Sequence, residues 1–139
     1  YKRQVKRNIQ ELKILIENLC EKDFLIISEI SSLISHTLRS GGCIFWCGNG
    51  GSASQSQHLA AELIGRFKNN RVPYRSLSLT SDSTVITCIS NDFGYENLFS
   101  RQLEALGNEG DLLIVLSSSG NSINLKNVNF FPLLVLSQD

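Results

Sequence analysis

Between Gln4 and Cys20 the apolar residues Val5, Ile9, Leu12, Ile14, Leu15, Ile16 and Leu19 return at helical spacing and predict a first helix. A second helical pattern runs from about Phe24 to Leu38 through Ile26, Ile27, Ile30, Leu33 and Ile34. Ser40-Gly41-Gly42 closes it, because glycine readily takes the backbone conformation in which helices end. These two helices carry more apolar surface than one stripe against a small sheet needs, so a further partner surface, another subunit, is expected. Beyond Gly42 the period changes. Cys43 to Cys47 is a short, fully apolar strand that runs straight into Gly48-Asn49-Gly50-Gly51-Ser52. A helix is predicted from Ser54 to Phe67, a weak strand from Ser76 to Leu79, and a helix from Ser83 to Ser90 after a Ser-Asp turn. Another helix covers Glu96 to Leu106 and stops at Gly107; apolar strands follow at Leu112 to Leu116 and Leu133 to Leu136. Uninterrupted apolar strands separated by helices argue an α/β fold with a doubly wound, mostly parallel sheet covered on both faces.

One connection is short. About ten residues separate Ser122 from the strand at Leu133, whereas a parallel crossover usually takes a dozen or more. The expectation is therefore a single domain over residues 1–139 that lacks residues between about 125 and 130 and is incomplete at its C-terminus, the chain ending at Asp139 just past a strand.

Composition narrows the classes. A chain of 139 residues with 42% apolar and 19% charged residues has enough apolar material for one real core. The 13 Lys and Arg cancel the 13 Asp and Glu, which removes any general electrostatic reason to expect nucleic acid or an anionic membrane as partner. No apolar run approaches the roughly 20 residues that span a bilayer, and the basic start YKRQVKRNIQELK leads into a charged helical pattern instead of a signal peptide. Cys20, Cys43, Cys47 and Cys88 show no CxxC spacing, and a chain able to build a core needs no disulfide frame, so a reducing cytoplasm is expected.

Two loops carry candidate chemistry, both placed where an open parallel sheet puts its ligands, past the carboxyl ends of strands. Ser117-Ser118-Ser119-Gly120-Asn121-Ser122 offers hydroxyls and backbone N–H groups ahead of a helix, a chemistry suited to an anion. The plainer alternative is a polar turn capping a helix through Ser122. Gly48-Asn49-Gly50-Gly51-Ser52 lacks the lysine of a P-loop and the spacing of a dinucleotide fingerprint; its plainer reading is a tight strand-to-helix turn with Ser52 or Ser54 as N-cap. Two such loops at successive strand ends make a phosphorylated small molecule the leading ligand class.

Gln55, His58 and Glu62 are spaced three and four apart, which sets them along one face of the helix after the first loop. An imidazole and a carboxylate so placed can share a metal ion or act in general acid–base catalysis. The alternative is a solvated polar face. Arg66 is expected in solvent or at a subunit contact. In Asn91-Asp92-Phe93-Gly94-Tyr95, Asp92 either caps the next helix or meets a sugar hydroxyl; His36 is expected to be structural and Trp46 core.

The runs CGNGGSASQSQHLAAELIGRF (47–67), SNDFGYENLFSRQLEALGNEGD (90–111) and LSSSGNS (116–122) together resemble the phosphoheptose isomerases of the sugar-isomerase (SIS) domain family, in order and spacing over nearly the whole chain. The resemblance implies conversion of sedoheptulose 7-phosphate to D-glycero-D-manno-heptose 7-phosphate on the way to lipopolysaccharide heptose, in a cytoplasmic homotetramer with sites between subunits. It assigns Ser52, Ser117, Ser119 and Ser122, with Ser118 nearby, to the phosphate. Asn49, Gly50, Gly51, Asn91 and Asp92 border the sugar, His58 and Glu62 bind one zinc ion, and Glu62 doubles as base. Family members continue into a C-terminal helix with a Gln and a His that complete the metal and acid–base sets, which 139 residues ending at Asp139 do not include; a chain truly ending there is expected to be defective. The rival reading is a non-catalytic relative that binds the replication initiator. It lacks a glutamate at the position of Glu62, whose presence here favours the enzyme. A sugar-phosphate-sensing regulatory domain is a second rival, weakened by the lack of a DNA-binding segment.

Overall fold

A computed structural model describes residues 1–130 and 132–136. In chain order it holds α1 (Lys2–Glu17), α2 (Glu21–Arg39), β1 (Ile44–Gly48), α3 (Gly51–Ile64), β2 (Ser76–Ser78), α4 (Ser83–Phe93), a 3₁₀ turn (Tyr95–Asn97), α5 (Leu98–Leu106), β3 (Leu112–Leu116), α6 (Ile123–Lys126) and β4 (Leu133–Leu136). The chain divides into two units, Tyr1–Leu33 and the part from Ile34 onward.

In the first unit α1 buries no residue, and Val5, Ile9, Leu12, Leu15 and Leu19 are all exposed. The apolar stripe read from the sequence is therefore present and unpartnered within this unit. Its exposed ion pairs, Arg7–Glu11 and Lys13–Glu17, span one helical turn each and contribute only about 0.3–0.5 kcal/mol. At the start of α2 the Cys20 N–H donates to Asp23 Oδ2 at 2.8 Å, satisfying one of the orphan donors of a helix start. That bond, with Lys22 nearby, holds the Asp23 carboxyl below its ordinary range.

In the second unit all four strands are parallel, in the order β2-β1-β3-β4. The chain moves outward from β1 to β2, then crosses back past β1 to β3. Strand order thus reverses between β1 and β3, and that is where open α/β sheets form a crevice. Phe45, Cys47, Leu113 and Val115 face one side and pack with Ile89 of α4, Leu98, Phe99 and Leu103 of α5, and Leu125 of α6. Helix α3 lies along β1 and β2 with none of its residues in that cluster, so it covers the opposite face. The sheet is doubly wound, as the apolar strands implied.

Buried polar groups fix the ends of these elements. Asp111, 2% exposed, accepts from the Cys43 N–H at 2.7 Å and the Asn108 N–H at 2.8 Å, tying the starts of β1 and β3 together. Trp46 is buried as expected, its Nε1–H donating to Ser76 Oγ across β1 and β2. The guanidinium of Arg71 donates to the carbonyls of Glu62 and Leu63, filling acceptors that the last turn of α3 leaves open.

Element boundaries differ from expectation at two places that matter for the site. Helix α3 starts at Gly51 rather than Ser54, because Gly50 at φ 55° turns the chain at once; Ser52 and Ser54 lie inside the helix, and neither is its N-cap. Helix α4 runs on to Phe93, so Asp92 sits within it and caps nothing that follows. Between β3 and β4, where residues are expected to be missing, the described residues include the one-turn α6, a buried Val128 and Phe130, which packs edge-on to Phe45 at 6.2 Å. Asp139 lies outside the described residues.

Candidate active site

The two candidate loops leave the sheet side by side. Gly48, the last residue of β1, is in register with Leu116, the last of β3. A Cβ on Gly48 would stand 2.7 Å from the Ser52 Cβ and 2.8 Å from the Leu116 carbonyl oxygen, so only glycine lets the start of α3 and the end of β3 approach so closely. The glycine loop and the serine loop therefore open at the same height on either side of the strand-order reversal.

Side chains then tie the loops together. Asn49 Nδ2 donates to Asn124 Oδ1, and Asn124 Nδ2 donates back to Asn49 Oδ1, both at 2.9 Å. The Tyr95 hydroxyl donates to the same Asn49 oxygen at 2.8 Å, bringing the turn after α4 against the glycine loop. Asn49, expected to border the sugar, is half-buried at this edge and shares its amide with these two protein partners.

Within the serine loop, Ser117 is buried and its Oγ accepts from the Gly120 N–H at 3.0 Å, while Ser119 Oγ accepts from the Asn121 N–H at 3.3 Å. Ser122 is the N-cap residue of α6, yet its hydroxyl makes no cap bond, and Ser118 is exposed. The capping alternative thus has the right position without the hydrogen bond that defines it. Lys126 donates to Asn121 Oδ1 at 2.8 Å and places a cation beside the loop.

Helix α3 presents its polar face to the same edge. Ser54, Gln55, His58 and Leu59 line a surface cavity of about 540 Å³ together with Leu116, the residue that opens the serine loop. His58 is exposed there, and Glu62 is half-buried one turn further on. Arg66 is exposed and bonded to Asn70, in line with the expectation of solvent rather than Glu62. Gly50, Gly51 and Ser52 form the first turn before this face. Asn91 and Asp92 are exposed at the end of α4 and bonded to each other at 2.7 Å, three residues before the tyrosine that reaches Asn49. His36, in the last turn of α2, is exposed.

Tyr95 and Asn124 went unassigned from sequence. Their partner Asn49 lies 46 and 75 positions away, so no local pattern could join them. The expected zinc ion meets a limit here. Among the described residues no three His, Cys, Asp or Glu side chains come together as a metal-binding group. His58 and Glu62 offer two donors where a catalytic zinc site takes three from the protein, so by themselves they do not make that site.

A strand-order reversal flanked by a glycine loop and a serine loop defines a class, and the comparison with known families agrees with it: the SIS domain family model matches residues 8–128, and the chain belongs to that family. Among its relatives is the phosphoheptose isomerase of Akkermansia muciniphila, 54% identical over 99 residues that cover 71% of this chain and 52% of that protein. The phosphoheptose isomerase of Haemophilus ducreyi is 43% identical over 129 residues, covering 91% of this chain and 66% of that one. A solved structure of a phosphoheptose isomerase from Neisseria gonorrhoeae superposes with a TM-score of 0.79 at 32% identity, over 98% of this chain and 73% of that chain. The chain thus spans about half to two thirds of the length of these curated relatives. Of the readings drawn from sequence, they support the isomerase and lend nothing to binding of a replication initiator.

Proposed function

We propose that this chain forms the sugar-phosphate-binding part of a phosphoheptose isomerase, which interconverts sedoheptulose 7-phosphate and D-glycero-D-manno-heptose 7-phosphate for lipopolysaccharide heptose in the cytoplasm. The observation that carries the proposal is the cavity shared by His58 and Leu116, which joins the polar face of α3 to the root of the serine loop. In this reading the phosphate rests on the serine loop. Ser118, Ser119 and Ser122 supply hydroxyls, Ser117 shapes the turn, and Lys126 adds favourable charge. Gly50, Gly51 and Ser52 let the sugar chain approach the backbone, and Asn91 and Asp92 border its hydroxyls.

Ketose–aldose isomerisation moves a proton between neighbouring carbons through an enediol. A carboxylate beside the carbonyl takes that proton from one carbon and returns it to the next, and Glu62 is the group assigned this work. His58, one turn before it, orients the substrate oxygens. A zinc ion, if the remaining donors come from outside the described residues, would polarise those oxygens; His58 and Glu62 are the ligands this chain would give. The exposed apolar stripe of α1 supports a homotetramer, with Val5, Ile9 and Leu12 covered by other copies.

The test is turnover of sedoheptulose 7-phosphate, with zinc supplied, by the purified product of the complete open reading frame. Formation of the aldose is expected. Complete inactivity, in protein that is folded and binds no sugar phosphate, would remove the assignment.

A further inference from the structure

The pairing of Asn49 with Asn124 is unusual in its economy. Asn124 is 1% exposed, and an amide at that depth is costly unless its hydrogen bonds are made. It makes them with one residue of the other loop, and the Tyr95 hydroxyl fills the remaining acceptor position on the Asn49 oxygen. Little else of this kind anchors the serine loop. Its internal bonds are local, α6 is a single turn, and Ser122 adds no cap bond. We propose that Asn124 and Tyr95 are positioning residues: acting through Asn49, they hold the serine loop against the glycine loop and set the width of the site without touching substrate. The reciprocal amide pair fixes both distance and orientation, since sliding either loop breaks two bonds at once. The effect on substrate binding rests on the phosphosugar reading above.

Tyr95→Phe removes only a hydroxyl from an exposed side chain and leaves folding intact, so it carries the test even if Asn124→Ala fails to fold. In the full chain without ligand, hydrogen exchange at the hydrogen-bonded amides of this segment, Gly120, Asn121, Leu125 and Lys126, is expected to speed up about two- to tenfold in Tyr95→Phe, the worth of one hydrogen bond, while amides of β1 and β3 keep their rates. KM for sedoheptulose 7-phosphate should rise by a similar factor with kcat held within about twofold. Combined with Asn124→Ala, the two changes should be non-additive, because both act through Asn49. Unchanged exchange in the serine loop of Tyr95→Phe, or strict additivity, would overturn the clamp. The exchange measurement needs no ligand: it judges the clamp even in a protein that ignores sedoheptulose 7-phosphate, a result that would overturn the proposed function alone.

Discussion

At the scale of single residues, the serine loop and the imidazole–carboxylate pair were legible because their chemistry is local: hydroxyls crowded around Gly120, and two side chains one helical turn apart on α3. Roles that depend on distant partners were not. Ser52 and Ser54 have the composition of caps, yet Gly50 starts the helix earlier, and nothing local to Asn49 reveals that Tyr95 and Asn124 hold its amide. Glu62→Gln should lower kcat by roughly 10²–10⁴-fold, the range lost with a general base. Stability should hardly change, because Arg71 bonds the carbonyl of Glu62 and not its carboxylate. Steady-state kinetics beside thermal unfolding separate the two effects. Replacing both Ser119 and Ser122 by alanine should weaken substrate binding by about 1–3 kcal/mol with kcat less affected, read from KM or direct titration. The cysteines give a further check. Burial, with Asp111 adding to it, pushes the Cys43 thiol up to about 11, and burial pushes Cys47 up to about 12. The thiolate is the reactive form, so in native protein at about pH 8 a thiol reagent should modify exposed Cys20 and Cys88, and reach Cys43 and Cys47 only after unfolding.

At the scale of elements, apolar strands bounded by glycine and helical periodicity placed every strand and nearly every helix. What the pattern missed were ends, which are set by single backbone conformations and by tertiary partners. The extension of α4 to Phe93 and the one-turn α6 both belong to this group. The crossover to β4 is short for a full helix; among the described residues it carries a single turn, with Leu125 and Val128 buried. The element-level device most specific to the site is Gly48, against which α3 and β3 both pack. Gly48→Ala should cost about 1–3 kcal/mol, as overpacking of a tight contact does, and should loosen both loops. Denaturant unfolding and ligand affinity together check this. A stability loss without any change in affinity would mean that the two loops do not depend on this junction.

At the scale of the whole molecule, the sheet order alone puts β1 and β3 at the centre with their loops diverging, and composition had already removed nucleic acid as an expected partner. The apolar stripe of α1 is a surface that one copy of this unit leaves in water. Light scattering coupled to size exclusion should give a tetramer, and replacing Leu12 and Leu15 by lysine should lower the assembly state while β1 to β4 stay folded by circular dichroism. A monomer at micromolar concentration would argue that this stripe has another use.

Convergence of the serine loop and the α3 face on one ligand is the claim on which the rest stands. Nuclear magnetic resonance titration with sedoheptulose 7-phosphate tests it most directly, following the Ser118–Ser122 amides and the His58 imidazole in the same sample. The account predicts that both sets shift along one binding curve with a single Kd. Movement of the serine amides while His58 stays still to saturation, or two separate curves, would contradict it.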